Sequence, residues 1–472
     1  MNNNTVRISK EDIEKQYGFM RLIKEQNEKL FGDKAPKAYV LTFGCQQNEA
    51  DSERIAGMTE QMGYAVVNEP DDADLIVINT CAVREHAELR ALSITGQFKH
   101  LKAKNPSLKI GICGCMVTQD HRKEDIKHKY PYVDFLFGTN MLYRFPEILF
   151  ESYRQKKRLF YFDHEASNIS EGLPVKRVHN FKAFVSVMYG CNNFCSYCVV
   201  PYVRGRERSR RPEDIINEIR DLAKQGYSEF TLLGQNVNSY GKDLDIEYDF
   251  SDLLTDICKI EGEFWVRFMT SHPKDASKKL IDTMARESKI AKHLHLPFQS
   301  GDNRILSVMN RRYTKESYLE LIAYAKEKMP SIGLTSDVIV GFPTETEQEF
   351  EGTLDMLRAV EFDSIFSFIY SPRKDTPAAN MDGQIPDEIK KARFARLLDV
   401  QNGISKDLNQ EYEGKTIRVL VEGRSKTDCG KYTGRNEKNR LVHFDADDSL
   451  IGKFVDVKVD KADTFAMYGK IV

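Results

Sequence analysis

Met188-Tyr-Gly-Cys191-Asn-Asn-Phe-Cys195-Ser-Tyr-Cys198 carries three cysteines at i, i+4 and i+7, directly after the apolar run Phe184–Met188. Three thiolates at that spacing in a turn can bind three irons of a 4Fe–4S cluster, leaving the fourth iron open for a cofactor or substrate. Zinc is the competing reading of clustered cysteines, but zinc usually takes four protein ligands in paired Cys-x-x-Cys form. The run before Cys191 reads as a strand. The cysteine loop then falls at the C-terminal end of that strand.

Outward from this loop, short apolar runs alternate with longer helical patterns. Downstream the runs are Phe230–Leu233, Trp265–Met269, His293–Leu296, Leu334–Val340 and Ser364–Tyr370. Helical stretches such as Pro212–Lys224, Ser251–Ile260, Lys315–Lys328 and Thr346–Val360 lie between them. Six βα units predict a partial (βα)6 TIM-like barrel over residues 177–408, functional at the C-terminal ends of its strands. Upstream, the runs Tyr39–Phe43, Leu75–Asn79, Ile110–Cys113 and Phe135–Phe137 alternate with helical patterns in the same way. They predict an N-terminal doubly wound parallel α/β domain over residues 36–153. Cys45, Cys81 and Cys115 each fall just after one of these runs. In a parallel sheet such positions share one edge, where ligands collect. Residues 1–35 read as a tail or a short helix, and the charged stretch 154–176 reads as a linker. After a closing helix (Asp387–Leu408), residues 409–472 show short strands with turns between them, as in a small OB-like antiparallel β-barrel.

A chain of 472 residues is too long for one ordinary core, and an apolar fraction of 41% is enough to bury several. The polar stretch Met1–Lys10 lacks the apolar segment of a secretory signal, and no run is long enough to span a membrane. A soluble, cytoplasmic, monomeric protein is expected. Nine cysteines in that setting imply reduced thiols rather than a disulfide framework. The net charge of −2 excludes a uniformly basic nucleic-acid binder but not a local basic surface.

Cys191-x-x-x-Cys195-x-x-Cys198 on the first strand–loop of a six-unit barrel resembles the radical S-adenosylmethionine (SAM) superfamily. The resemblance implies that the open iron chelates the amino and carboxylate groups of SAM, whose reductive cleavage yields a 5′-deoxyadenosyl radical. Thr42-Phe-Gly-Cys45-Gln-Gln-Asn, Asn79-Thr-Cys81-Ala-Val-Arg and Gly111-Ile-Cys-Gly-Cys115-Met are similar to the N-terminal domain of the methylthiotransferases. There, three such cysteines hold a second, sulfur-donating 4Fe–4S cluster. The family motif places the ligand directly after Gly114, so Cys115 is the expected ligand and Cys113 a packing residue. Cys258, in a helical pattern, and Cys429, in the C-terminal barrel, read as structural or incidental. The resemblance covers about Lys37 to Val472. The wording of Cys198-Val-Val-Pro-Tyr-Val-Arg-Gly-Arg-Glu-Arg-Ser-Arg closely resembles that of the branch acting on isopentenylated adenosine beside the tRNA anticodon, although Val203 and Gln47 depart mildly from it.

The resemblance carries further expectations. Tyr197, Gln235, Asn236, Gln299 and Asp337 are expected to contact SAM, against the alternative that polar residues at strand ends are ordinary caps. The arginine run containing Arg204, Arg206 and Arg208 adjoins the cluster loop and suits RNA phosphate, SAM or buried turns. In the last barrel, Arg424, Lys426, Lys431, Arg435, Lys438 and Arg440 interleave with Tyr432, opposed by Asp428 and Glu437. This stripe resembles the RNA-binding TRAM domain. The catalytic residues implied are the six cysteines Cys45, Cys81, Cys115, Cys191, Cys195 and Cys198. The expected reaction is methylthiolation of carbon 2 of N6-isopentenyladenosine at tRNA position 37, one SAM donating methyl and another supplying the radical. Expected partners are the tRNA anticodon stem-loop, an external electron donor, and an iron–sulfur or sulfur carrier that repairs the second cluster. Rival readings are methylthiolation of threonylcarbamoyladenosine in tRNA or of a ribosomal-protein aspartate, and a non-catalytic iron–sulfur RNA binder.

Overall fold

The computed structural model describes residues 6–83, 85–155, 157–163, 168–426 and 430–472. Asp428 and Cys429 therefore lie outside the described residues, as does Arg84. The chain forms two compact units: Met1–Val178 with Met188–Asn192 and Val199–Arg210, and His179–Val187 with Asn193–Cys198 and Arg211–Val472.

The first unit is built on a parallel sheet. Its strands are β1 (Lys37–Thr42), β2 (Ala65–Val67), β3 (Leu75–Thr80), β4 (Lys109–Gly114), β5 (Phe135–Phe137) and β6 (Leu159–Tyr161), in spatial order β2-β1-β3-β4-β5-β6. All six residues of β3 are buried, the mark of a central strand covered on both faces. Alternate side chains serve opposite cores. Leu75 and Val77 join the core beneath α1 (Lys10–Phe31), α2 (Gln46–Gln61) and α6 (Phe145–Arg154). Ile76 and Ile78 join the core beneath α3 (Glu85–Lys104) and α5 (Asp120–Lys129), which α4 (Cys115–Thr118) precedes.

Two expectations are corrected here. Residues 10–31, inside the stretch read as a tail or short helix, form the 22-residue α1, opened by Ser9 accepting the Asp12 N–H. Its buried stripe, Gln16, Met20, Ile23 and Asn27, is half polar, so no hydrophobic period marked it. The stretch 154–176, read as linker, contributes β6 to the sheet, and its Pro174 lies so close to Gly57 that a Cβ there would meet the Pro174 backbone at 2.6 Å. A three-residue strand with charged flanks is too short to show alternation.

The second unit holds strands β7 (Lys182–Ser186), β8 (Glu229–Leu233), β9 (Trp265–Phe268), β10 (His293–His295), β11 (Gly333–Val340) and β12 (Ser364–Ile369). They pair in parallel as β9-β8-β7 and β10-β11-β12, and a bridge between Val266 and Ile290 stands between the two sheets. This is the partial (βα)6 barrel. Its C-terminal neighbour is a closed five-stranded barrel, β13 (Thr416–Arg424), β14 (Tyr432–Asn436), β15 (Leu441–Phe444), β16 (Phe454–Ala462) and β17 (Met467–Ile471), in the order β13-β14-β15-β17-β16.

The small barrel docks at the N-terminal ends of the parallel strands. Lys182, which opens β7, pairs with Glu422 at 3.0 Å. Trp265, which opens β9, meets Phe454 edge-on at 4.7 Å, and Ser228, just before β8, donates to the Gly452 carbonyl at 2.7 Å. Arg267 donates to the Asn436 and Glu437 carbonyls at 2.7 and 2.8 Å while paired with Glu229 at 2.6 Å. The opposite, C-terminal ends of the strands carry the polar loops. Among the described residues no helix is long and apolar enough to cross a membrane.

Candidate functional site

In the first unit, Cys45, Cys81 and Cys115 stand at the C-terminal ends of β1, β3 and β4, which are neighbours in the sheet. Cys45 precedes α2, and Cys115 is the first residue of α4. Tight loops bring them together. At Gly44 a Cβ would lie 2.9 Å from the Cβ of Cys81, and at Gly114 (φ +95°) it would lie 2.4 Å from the Thr80 carbonyl. Asn48 and Asn79 lace the loops: the Asn48 amide donates to Asn79 Oδ1 and to the Thr80 carbonyl, both at 3.0 Å. The thiols sense one another. The Cys81 thiol hydrogen-bonds Cys45 and holds its pKa down at about 6, while the same bond and burial push Cys81 up. Burial pushes Cys115 up to about 11 against the pull of the Arg204 guanidinium. Cys45 is exposed and the other two are buried, so the set opens to solvent on one side. Cys113 is fully buried in β4 among apolar neighbours, and burial raises its thiol well above the ordinary value.

As a donor set, three sulfurs suit an iron–sulfur cluster with one open iron. Among the described residues no three or more His, Cys, Asp or Glu side chains form a site for a single metal ion.

Cys191 also belongs to the first unit. It follows a short antiparallel ribbon, Met188–Tyr189 against Arg208–Ser209, and its N–H donates to the Gly205 carbonyl at 3.1 Å. Gly190 (φ +76°) permits this approach, since a Cβ there would sit 1.9 Å from the Arg206 carbonyl. The strand predicted to run to Met188 thus ends at Ser186.

Cys195 and Cys198 belong to the second unit. The Cys198 N–H donates to the Cys195 carbonyl at 2.9 Å, and Arg311 Nη1 lies 3.3 Å from Cys195 Sγ. Arg311 is buried, reaches the Tyr197 hydroxyl at 3.5 Å and donates to the Pro297 carbonyl at 2.8 Å. Tyr197 is packed beside Phe342, and burial raises its phenol pKa.

Around the strand ends of this unit, buried polar atoms stand without a partner in the protein: Asn236 Oδ1, both amide atoms of Asn238, Ser271 Oγ, His272 Nε2 and Gln299 Oε1. Such atoms cost roughly 1–3 kcal/mol each if left dry, so their concentration here marks a polar ligand site. Asn236 and His272 are fixed in orientation. The Asn236 amide donates to Asp275 Oδ2 at 2.8 Å, which leaves its oxygen as the free acceptor. His272 Nδ1 accepts the Lys274 N–H at 3.2 Å, and burial holds the imidazole pKa down at about 2. The ring is neutral, with its proton on Nε2. Gln299 has φ +65° and donates its N–H to the Asp337 carbonyl at 2.9 Å. Asp337 is half-exposed, with Oδ1 3.5 Å from His295 Nε2, and Gln235 is half-buried beside Asn236. The donors and acceptors fit a zwitterionic, hydroxylated cofactor such as SAM.

Several expected RNA contacts are corrected. Arg204 and Arg208 are buried: Arg204 serves Cys115 and Asp51, while Arg208 serves Asn140 and the carbonyls of Asn168, Arg204 and Arg206. Arg206 remains exposed. In the small barrel, Tyr432 is a core residue whose hydroxyl meets Asp448 at 2.5 Å, so its ring has no free face for a base. Arg440 is buried against Asp363 and Asn409. Lys438 packs its stem at Gly333 and its ammonium 5.2 Å over Tyr412. Arg424, Lys426 and Lys431 stay at the surface, and Arg435 is partly exposed.

Residues 37–138 match the uncharacterized protein family UPF0004, residues 185–357 the radical SAM superfamily, and residues 410–472 the TRAM domain. A tRNA-2-methylthio-N(6)-dimethylallyladenosine synthase of Alkaliphilus oremlandii is 50% identical over 98% of this chain and 98% of its own. The protein of the same name from Clostridioides difficile is 49% identical over 99% and 98%. The chain belongs to the radical-SAM methylthiotransferase family. A radical SAM methyltransferase of Kitasatospora setae, TsrM, shares the fold, with TM-score 0.53 and 13% identity over 73% of this chain and 75% of that one.

In this methylthiotransferase, sequence reasoning missed Arg311, His272 and Ser271. Arg311 lies 116 residues from the cysteine it approaches, in a basic loop that resembles any solvated turn. Ser271 and His272 lie in the loop that follows β9, so the strand-end rule that singled out Asn236 could have found them.

Proposed function

We propose that this enzyme transfers a methylthio group to carbon 2 of N6-isopentenyladenosine at position 37 of tRNA. The observation that carries the reading is the near-50% identity, end to end, with proteins named for that product. Three thiols at adjacent strand ends, and the orphaned polar atoms around Asn236, His272 and Gln299, support it from the chemistry side. Cys45, Cys81 and Cys115 would hold the auxiliary 4Fe–4S cluster, and Cys191, Cys195 and Cys198 the SAM-binding one. When bound, these groups and SAM supply the radical, the methyl group and the sulfur that an unactivated aromatic C–H bond requires.

The chain's own part is to bind, orient and shield. Asn236 Oδ1 offers an acceptor to an ammonium or hydroxyl, and His272 Nε2–H offers a donor that stays neutral at any physiological pH. Lys426 and Arg206 offer exposed cations to phosphates, and Arg424 and Lys431 offer surface cations that are paired with Asp448 and Asp445 in the absence of RNA. The target base must leave its stack to reach a strand-end site.

Anaerobic reconstitution followed by incubation with SAM, reductant and isopentenylated tRNA tests this. Nucleoside mass spectrometry is expected to show a gain of methylthio on the isopentenylated adenosine. SAM cleavage with an unchanged nucleoside would retire the substrate assignment and leave the cofactor site standing.

A further inference from the structure

Arg204 is a charged side chain almost sealed from water, 5% exposed, in the five-residue helix α7 (Val200–Arg204). The flanking Val199 and Val203 pack against Ala82 and Cys115, which lays the arginine across the loops that carry the thiols. Its Nε lies 3.2 Å from Cys115 Sγ, and its Nη2 lies 2.9 Å from Asp51 Oδ2. Burial works against its charge, but Cys115, Asp51 and Cys45 hold it protonated. A guanidinium is a permanent cation with a rigid fork, so two edges can serve two fixed partners.

The other two sulfurs have different surroundings. Cys81 Sγ accepts the Val83 N–H at 3.3 Å, and Cys45 lies against the backbone of Gln47 and Asn48. Among the described residues neither is hydrogen-bonded by a cation.

We propose that Arg204 is a positioning residue for the auxiliary cluster. It donates to the Cys115 ligand sulfur, is aimed by Asp51, and raises the cluster's reduction potential. The inference rests on the assignment of Cys45, Cys81 and Cys115 as ligands. A donor and a positive charge at a ligand sulfur favour the reduced, more negative cluster, the usual way that surroundings tune such potentials. The alternative is a buried Arg204–Asp51 ion pair that merely joins α7 to α2.

The full-length chain with Cys191, Cys195 and Cys198 all changed to alanine isolates the auxiliary cluster. Iron content, the electron paramagnetic resonance of the reduced state and a potentiometric titration are read in this parent, in Arg204→Lys, and in Arg204→Gln combined with Asp51→Asn. The paired change avoids leaving a buried carboxylate alone. Both variants are expected to keep the parent's iron and reduce at lower potential with an altered spectrum, the paired variant more so. An iron-loaded paired variant with parental potential and spectrum would overturn the proposal. Should that variant fail to load iron, Arg204→Lys decides: a parental potential overturns the proposal and a lowered one supports it. A parent that takes up no cluster at all sinks the ligand assignment and the Arg204 role together.

Discussion

His272 shows how a single residue's chemistry is set by its surroundings. Its pKa of about 2 lies far below the ordinary 6.5 because burial disfavours the charged ring. The unfolded chain therefore takes up a proton below about pH 6.5 that the folded chain refuses. That stabilisation is complete above pH 6.5 and is lost as the pH falls toward 2. By pH 5 the loss from His272 is about 2 kcal/mol, so His272→Gln should show a smaller drop in urea midpoint between pH 7 and pH 5 than the parent. The same ring predicts binding: His272→Phe removes the Nε2 donor and should weaken SAM binding to the reconstituted enzyme about tenfold by calorimetry. The cysteines divide the chemistry differently. Cys198→Ala should abolish SAM cleavage while leaving auxiliary iron in place, and Cys45→Ala should cleave SAM without giving methylthio product. Methylthio product from the Cys45 variant would remove that residue from the ligand set.

Elements differ in how openly they declare themselves. β3 was legible because it is a continuous buried run flanked by turns, and β11 because most of its length is buried in the same way. The cysteine positions were legible for the same reason, since a strand's end can be read wherever the strand can. Helix α1 was not, because two of its four buried residues are amides: Asn27 is buried to donate to the Met62 carbonyl at 2.9 Å. Nor was β6, three residues long, or the arginine run, where charge alone does not distinguish a guanidinium clamped on carbonyls from one facing solvent. Helix α1 offers a direct check. Met20→Ala and Ile23→Ala, at 1% and 0% exposure, should each cost about 2–4 kcal/mol in urea unfolding, whereas a dispensable tail would show no change. Gly57→Ala should also destabilise, because its Cβ would press on backbone rather than on a side chain that can turn away.

At the scale of the second unit, one of the expected RNA contacts, Arg440, helps to fasten the small barrel to the parallel strands. Arg440 is spent on Asp363 and Arg267 of β9 reaches back to the Asn436 carbonyl, whereas Lys426 and the ion-paired Arg424 (with Asp448) and Lys431 (with Asp445) stay near the surface. Changing those three to alanine should weaken tRNA binding and flatten its dependence on salt by roughly two units of log–log slope, at about 0.7 for each phosphate no longer neutralised. Arg440→Ala should instead lower the melting temperature and leave the slope unchanged. A slope that falls with Arg440→Ala would return that residue to the RNA surface.

The docking of the small barrel at the strands' N-terminal ends, opposite the polar C-terminal loops, has a metric consequence. Strands such as β7 and β11, of five and eight residues, put roughly 15–25 Å between the two ends. Because Arg267, Trp265 and Lys182 clamp the small barrel in place, that interval is rigid, and gripping an RNA there would work as a caliper. A nucleotide would be selected by its distance from the point of grip as well as by its own shape, so a stem lengthened by one base pair could bind normally and still present the wrong base.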